Sequence, residues 1–230
     1  MINPNKFNKP TQNNVMVSKE FCYLIGVGLG DGSLTIRNYF QKRKIRQPYQ
    51  ATIYKFKLIT KDKDFALRFK KCLEREFNIK LKLMRYFHKQ NKRYYYEVAL
   101  EKRKLVLFLK KYLDNLKWVF TNLPKELQLE ILRGLFDSEG WVNVYRKKYI
   151  RFGIGLQDKK KFILLKRLIE NQDLKYTYNL QKPSKTQFGN KPTFVITFHK
   201  NAKSFYQILK PLTIQRKDIV AKTFYGVSYV

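Results

Sequence analysis

Two acidic residues stand at matching points of the sequence. Asp31 lies in Leu24-Ile25-Gly26-Val27-Gly28-Leu29-Gly30-Asp31-Gly32, and Glu139 in Leu132-Arg133-Gly134-Leu135-Phe136-Asp137-Ser138-Glu139-Gly140. Each closes an apolar run with helical spacing, and each is followed by glycine. Singly, either reads as the polar end of a helix before a C-cap glycine. As a pair they suggest chemistry. A carboxylate at a helix C-terminus is disfavoured by the dipole, and two carboxylates about 4 Å apart repel by roughly 4 kcal/mol at an effective dielectric near 20. A bound cation reverses the sign of that cost. Carboxylates are hard oxygen ligands of the kind Mg²⁺ takes while keeping several waters and sharing its sphere with phosphate. Asp137 falls two residues before Glu139, where the first run has Leu29, and suits a cap or a local pair better than a ligand.

The elements that must carry these acids repeat. Ser18 suits an N-cap for a helix through Phe21, Cys22, Leu24, Ile25, Val27 and Leu29. Pro124 suits the first helical position and Glu126 the positive end of the dipole in a second helix through Leu127, Leu129, Ile131, Leu132, Leu135 and Phe136. Asp31 and Glu139 are 108 positions apart (139 − 31), and the segments C-terminal to them share one pattern. Residues 50–61 alternate as a strand, with Thr52, Tyr54, Phe56 and Leu58 on one side and Lys55, Lys57 and Lys61 on the other. Residues 149–157 do the same, with Ile150, Phe152, Ile154 and Leu156 opposite Arg151 and Gln157. Helical runs come next at 65–74 and 163–170, and a shift of 96 sets Phe69 on Leu165, Lys71 on Arg167 and Glu74 on Glu170. Further strands are expected at 79–87, 93–100, 174–181 and 193–198, and closing helices near 102–112 and 201–209.

The order is α-ββ-α-ββ-α, twice. It predicts an α+β chain of two pseudo-symmetric repeats, each an antiparallel sheet with helices on one face and an open, basic face on the other. The expected organisation is an irregular N-terminal arm at 1–17, a first half at 18–112, a linker at 113–123 and a second half at 124–230. Gly26, Gly28, Gly30, Gly134 and Ser138 are poor helix formers, at roughly 0.5–1 kcal/mol for each glycine relative to alanine. Small residues let helix backbones approach closely, so the two motif helices should pack side by side and bring their acidic ends together.

Composition sets the partner class. Lys and Arg total 49 against 17 Asp and Glu, for a net charge of +32, and the basic residues run through the whole chain. Such a surface seeks polyanions. A hydrophobic share of 44% is too high for a disordered basic tail. No apolar run approaches the roughly 18–20 residues that span a bilayer, and no signal-peptide pattern opens the chain, so it reads as soluble and intracellular. Cys22 and Cys72 sit in apolar helical patterns without CxxC pairing and read as core thiols.

The two nonapeptides, each opening a matching repeat, resemble the paired motifs of LAGLIDADG homing endonucleases of the single-chain, two-motif type. The repeated element order is also that family's, so the resemblance covers nearly the whole chain. It implies a monomeric, site-specific, intron- or intein-associated endonuclease that cuts both DNA strands across the minor groove and leaves short 3′ overhangs. It also implies two or more Mg²⁺ ions, with Mn²⁺ substituting and Ca²⁺ binding without turnover, held by Asp31 and Glu139 with carbonyls of Gly30 and Ser138 as further ligands. Lys61 and Gln157 fall where the family has a polar residue, often Gln, that orients metal-bound water; Lys61 departs from that usage. Lys102 and Lys200 match a family lysine near the scissile phosphates.

Double-stranded DNA is therefore the expected partner, with no membrane and no obligate protein partner. Candidate base contacts on the open faces are Lys55, Lys57, Lys82, Tyr86 and His88, then Arg151, Lys175, Thr177, Asn179 and Gln181. Loops bearing Arg37, Gln41, Lys42 and Arg43, the stretch 89–93, Arg146 and Lys148, and Lys182 and Lys185 should reach phosphates beyond the strands. Two other readings use the same scaffold: an RNA maturase that binds intron RNA, and a DNA-binding regulator without catalysis. Heavy use of Lys, Asn, Ile, Phe and Tyr fits an AT-rich organellar (mitochondrial or chloroplast) or microbial genome.

Overall fold

The computed structural model describes residues 17–41, 49–119, 123–146, 148–182 and 192–226. In the first half α1 (Lys19–Leu29) leads to β1 (Ser33–Gln41), β2 (Tyr49–Thr60), α2 (Lys63–Phe77), β3 (Met84–His88), β4 (Arg93–Leu100) and α3 (Arg103–Asp114). The second half runs α4 (Lys125–Glu139), β5 (Gly140–Tyr145), β6 (Tyr149–Leu156), α5 (Lys159–Asn171), β7 (Thr177–Gln181), β8 (Thr193–Phe198), α6 (Ala202–Leu209) and α7 (Gln215–Tyr225). Each half contains a four-stranded antiparallel sheet, ordered β1-β2-β4-β3 and β5-β6-β8-β7. The expected α+β, doubly repeated architecture is the one observed.

The alternation of the strands decides which face is covered. Phe56 and Leu58 on β2, Val98 and Leu100 on β4, and Phe152, Ile154 and Ile196 on β6 and β8 are buried under the helices in one core cluster that draws on both halves. Partners directly across an antiparallel pair point the same way, so the register assigns the opposite face as well. Thr35, Arg37 and Tyr39 lie there beside Lys55, Ile53 and Ala51 in the first sheet. Trp141, Asn143 and Tyr145 lie there beside Gly153, Arg151 and Tyr149 in the second.

Three expectations change. In place of a loop at Arg37, residues 33–41 form β1, paired with β2 from Ser33↔Lys57 to Gln41↔Tyr49. The stretch 79–83 is not strand, because Glu74 takes its backbone instead: Ile79 N donates to the Glu74 carbonyl at 3.2 Å and Leu81 N to its carboxylate at 2.8 Å. Lys82 therefore precedes β3. Lys175 likewise precedes β7, its carbonyl accepting from Asn201 Nδ2 at 3.2 Å. The joining segment packs on the first half: Trp118 Nε1 donates to the Tyr112 carbonyl at 3.2 Å, its ring packs on Phe21 and Tyr112, and Val119 and Leu123 are buried.

Among the elements described, one has no counterpart in the first half. Helix α7 comes after α6 and packs beside β5, with Lys217, Asp218 and Ala221 buried. Among the described residues no helix is long and apolar enough to cross a membrane.

Candidate functional site

Ser18 starts α1 as its N-cap, accepting from Phe21 N at 2.9 Å while its hydroxyl donates to Glu76. Pro124 stands just ahead of α4, at the N-cap. Between the two helices backbone meets backbone. A Cβ on Gly26 would collide with the Ile131 carbonyl and come within 2.9 Å of Leu135 N; one on Gly134 would collide with the Tyr23 carbonyl and come within 2.9 Å of Val27 N. At the helix ends, a Cβ on Gly30 would collide with Ser138 and lie 3.0 Å from Glu139 Cγ. Glycine is thus required by close approach, and that approach sets Asp31 and Glu139 side by side.

Glu139 is the last residue of α4, and Asp31 comes directly after the Gly30 C-cap in a turn where Gly30 N and Gly32 N both donate to the Val27 carbonyl, at 3.1 and 2.9 Å. Burial is the main cause that lifts the Glu139 carboxyl from 4.5 to about 7, and the negative charge of Asp31 adds to it. Asp31 is also raised, first by burial, then by Asp62, against the opposing pull of Lys217. Two acids that resist ionising beside each other are a pair whose repulsion a cation would relieve.

Two lysines answer the pair, and neither belongs to the sequence-derived set. Lys161, at the start of α5, donates to the Leu29 carbonyl at 2.7 Å and its charge favours ionised Glu139. Lys217, on α7 and buried, donates to the carbonyls of Phe136 and Asp137 at 3.1 and 3.2 Å, and its charge favours ionisation of both acids. Burial depresses the Lys217 ammonium to about 8. Both motif helices therefore have a lysine on their C-terminal carbonyls, where a positive charge is favoured by the dipole. No sequence signal distinguished these two lysines from the others of a Lys-rich chain. Asp137 is buried; it accepts from Tyr23 Oη at 2.8 Å and bonds Thr213, so the local pair expected for it reaches instead across the two motif helices.

The remaining candidates lie on the strands, helix starts and turns of both halves. Lys61 and Gln157 occupy equivalent exposed positions just past the ends of β2 and β6. Lys102 is the N-cap residue of α3, and Lys200 precedes α6 by two residues; both are exposed. Arg37, Lys55, Lys57, Tyr86 and His88 share the open face of the first sheet, and Arg151, Thr177, Asn179 and Gln181 that of the second. Lys55 is not free there: Glu101 and Glu97 hold its ammonium at 2.9 and 3.5 Å. Arg146 and Arg151 flank Tyr145, their guanidinium carbons 5.0 and 4.9 Å from its ring centre. Lys148 lies in the β5–β6 turn, and Lys182 comes just after β7, both exposed. Gln41 ends β1, while Lys42, Arg43 and Lys185 lie outside the described residues. Sequence reasoning passed over Trp141, whose ring covers Gly153 so closely that a Cβ there would collide with it.

Among the described residues no three His, Cys, Asp or Glu gather as a metal cage. Two adjacent carboxylates at helix ends are donors of the kind that suit a hard cation that keeps much of its water.

No protein-family model matches the chain. An uncharacterized protein of Methanocaldococcus jannaschii, MJ0398, is 26% identical over 228 residues, covering 98% of this chain and 72% of that protein. Among solved structures, the homing endonuclease I-DmoI in complex with DNA and Ca aligns with a TM-score of 0.58 at 17% identity, over 89% of this chain and 97% of that one. I-WcaI bound to its DNA recognition sequence aligns at 0.55 and 18% over 100% of both chains. The LAGLIDADG homing endonuclease I-LtrWI bound to target DNA aligns at 0.56 and 13%, over 91% of this chain and 89% of that one.

Proposed function

From a chain whose fold is that of the LAGLIDADG homing endonucleases, we propose a site-specific DNA endonuclease that makes a double-strand break by divalent-metal-dependent phosphodiester hydrolysis, associated with an intron or intein. The observation that carries the reading is the pair Asp31 and Glu139, brought together by helices whose backbones touch and held in a state that resists ionisation. Solved relatives of this fold hold DNA with Mn or Ca, in keeping with a divalent ion here.

Asp31 and Glu139 are the residues that would bind such ions, with carbonyls of Gly30 and Ser138 beside them. Mg²⁺ held there supplies a more acidic water and positive charge at the phosphate oxygens. Lys217 and Lys161 offset the charge of the carboxylates and fix the helix ends on which they sit. Lys61 and Gln157 orient water from each side, and Lys102 and Lys200 approach the phosphates flanking the cut. The open sheet faces grip the duplex: Arg37, Lys57, Arg151, Asn179 and Gln181 are placed to read bases, and the charged turns to meet phosphates. Because the halves differ at almost every contact position, the target is asymmetric.

The test is cleavage of a randomised DNA-site library with Mg²⁺, with sequencing of the cut ends. One asymmetric site with short 3′ overhangs is the expected result, abolished by Asp31→Asn or Glu139→Gln with binding retained. Tight sequence-specific binding without cutting would replace this reading with a regulator; RNA-dependent splicing without cutting would replace it with a maturase.

A further inference from the structure

Helix α7 reaches the carboxylate pair from the second half, yet its first turn is fastened to the first half. Gln215 N donates to Asp64 Oδ2 at 2.6 Å. Arg216 makes a two-pronged bond to Asp62, Nε to Oδ1 at 2.7 Å and an Nη to Oδ2 at 3.1 Å. The next residue is Lys217, seated on the end of α4, and the one after is Asp218, whose carboxylate accepts from Tyr206 Oη and Leu212 N, both at 3.1 Å. Four consecutive residues thus bind the first half, the site and the second half in turn.

The repeat supplies an internal control. A shift of 96 sets Asp62 on Asp158, and both are N-caps of the helix that begins after them. Asp158 does the ordinary thing and accepts from Lys160 N and Lys161 N of its own helix. Asp62 makes no such bond to α2; its carboxylate is turned to Arg216 instead. The side chain has given up a local cap for a contact 154 residues away, with Asp62 itself largely buried and Arg216 more than half exposed.

We infer that Asp62, Asp64 and Arg216 form a clasp between the halves that positions Lys217 against the carboxylate pair. They are positioning residues and touch no reacting atom; this rests on the proposed endonuclease reading. A planar guanidinium on a carboxylate fixes direction as well as distance, which a lysine at the same place would not. If the halves shift relative to each other, the clasp and Lys217 move as one.

The experiment uses the full chain with Arg216→Ala, Asp62→Asn, Arg216→Lys and the exchange Asp62→Arg/Arg216→Asp. Acetylation of lysine amines by an N-hydroxysuccinimide ester, read site by site by mass spectrometry without DNA, reports whether Lys217 stays seated. Expected are a several-fold rise in Lys217 labelling in the first two variants, a smaller rise in Arg216→Lys and recovery in the exchange, with the melting temperature unchanged. On cleavable DNA, turnover should fall about 10-fold or more with affinity unchanged, as for a misplaced group in a preorganised site. Lys217 labelling that stays at the wild-type level in Arg216→Ala and Asp62→Asn overturns the clasp, as does loss of affinity in place of turnover. Should the wild type cut no DNA, the endonuclease reading falls while the labelling still decides the clasp. Should Arg216→Ala melt early, Arg216→Lys and the exchange decide it.

Discussion

Replacing Glu139 by glutamine removes a charge that the fold holds at a cost. In the unfolded chain this carboxyl ionises near 4.5, and in the folded protein near 7, because it is buried and faces Asp31. The folded state therefore keeps a proton that the unfolded state has released. Between pH 4.5 and 7 stability falls as pH rises, and above 7 the whole penalty is present. The gap is worth up to roughly 3 kcal/mol at 1.36 kcal/mol per pH unit. Glutamine keeps the shape and lacks the charge, so without divalent ions Glu139→Gln should melt higher than the wild type at pH 8.5, by roughly 6–12 °C at most for a protein of this size. At pH 5 the two should nearly coincide. Mg²⁺ should reverse the ranking: at 1,000 times its Kd it adds about 4.1 kcal/mol to a fold that binds it and little to the variant. Thermal unfolding monitored by circular dichroism, at both pH values with Mg²⁺ or with chelator, measures all of this. If Glu139→Gln melts at or below the wild type at pH 8.5 with chelator, the electrostatic account of the pair is wrong.

Gly134→Ala improves intrinsic helix propensity, yet its Cβ meets the Tyr23 carbonyl, so it should cost about 3 kcal/mol or more in a melt; a neutral outcome would refute backbone packing of the motif helices. Cys22 and Cys72 are buried and their thiols are pushed up to about 12, so a thiol-specific disulfide reagent should leave both untouched in the native protein and titrate both in denaturant. Asp31 is opposed by Asp62 while Glu139 has Lys161 beside it, so the strands should be cut at unequal rates; a plasmid time course should accumulate nicked circles, and strictly simultaneous cutting would contradict this.

The carboxylate pair and the covered face of each sheet were legible because period and repetition expose them. Asp31 and Glu139 occupy the same place in two copies, and Phe56, Leu58, Phe152 and Ile154 obey strict alternation. β1 was obscured because Arg37 and the basic residues beyond it gave it the look of a loop, although Leu34 and Ile36 alternate with Thr35 and Arg37. Helix α7 escaped because the repeat template closed each half with a single helix. Lys161 and Lys217 escaped for a different reason: their role comes from burial and from the carbonyls they meet across 132 and 81 positions of sequence, which no local pattern encodes.

The seam between α1 and α4 has a consequence for how the chain is made. Its surface is bare backbone and small residues, and the core beneath it takes side chains from both halves. A first half leaving the ribosome alone would present that seam, with Leu24, Ile25 and Val27 behind it, to water. It has nothing to close against until residues 125–139 emerge. Unfolding should accordingly be a single transition despite the two-fold plan, since neither half holds a complete interior. Symmetry here describes the drawing of the molecule, and the thermodynamic unit is the whole chain.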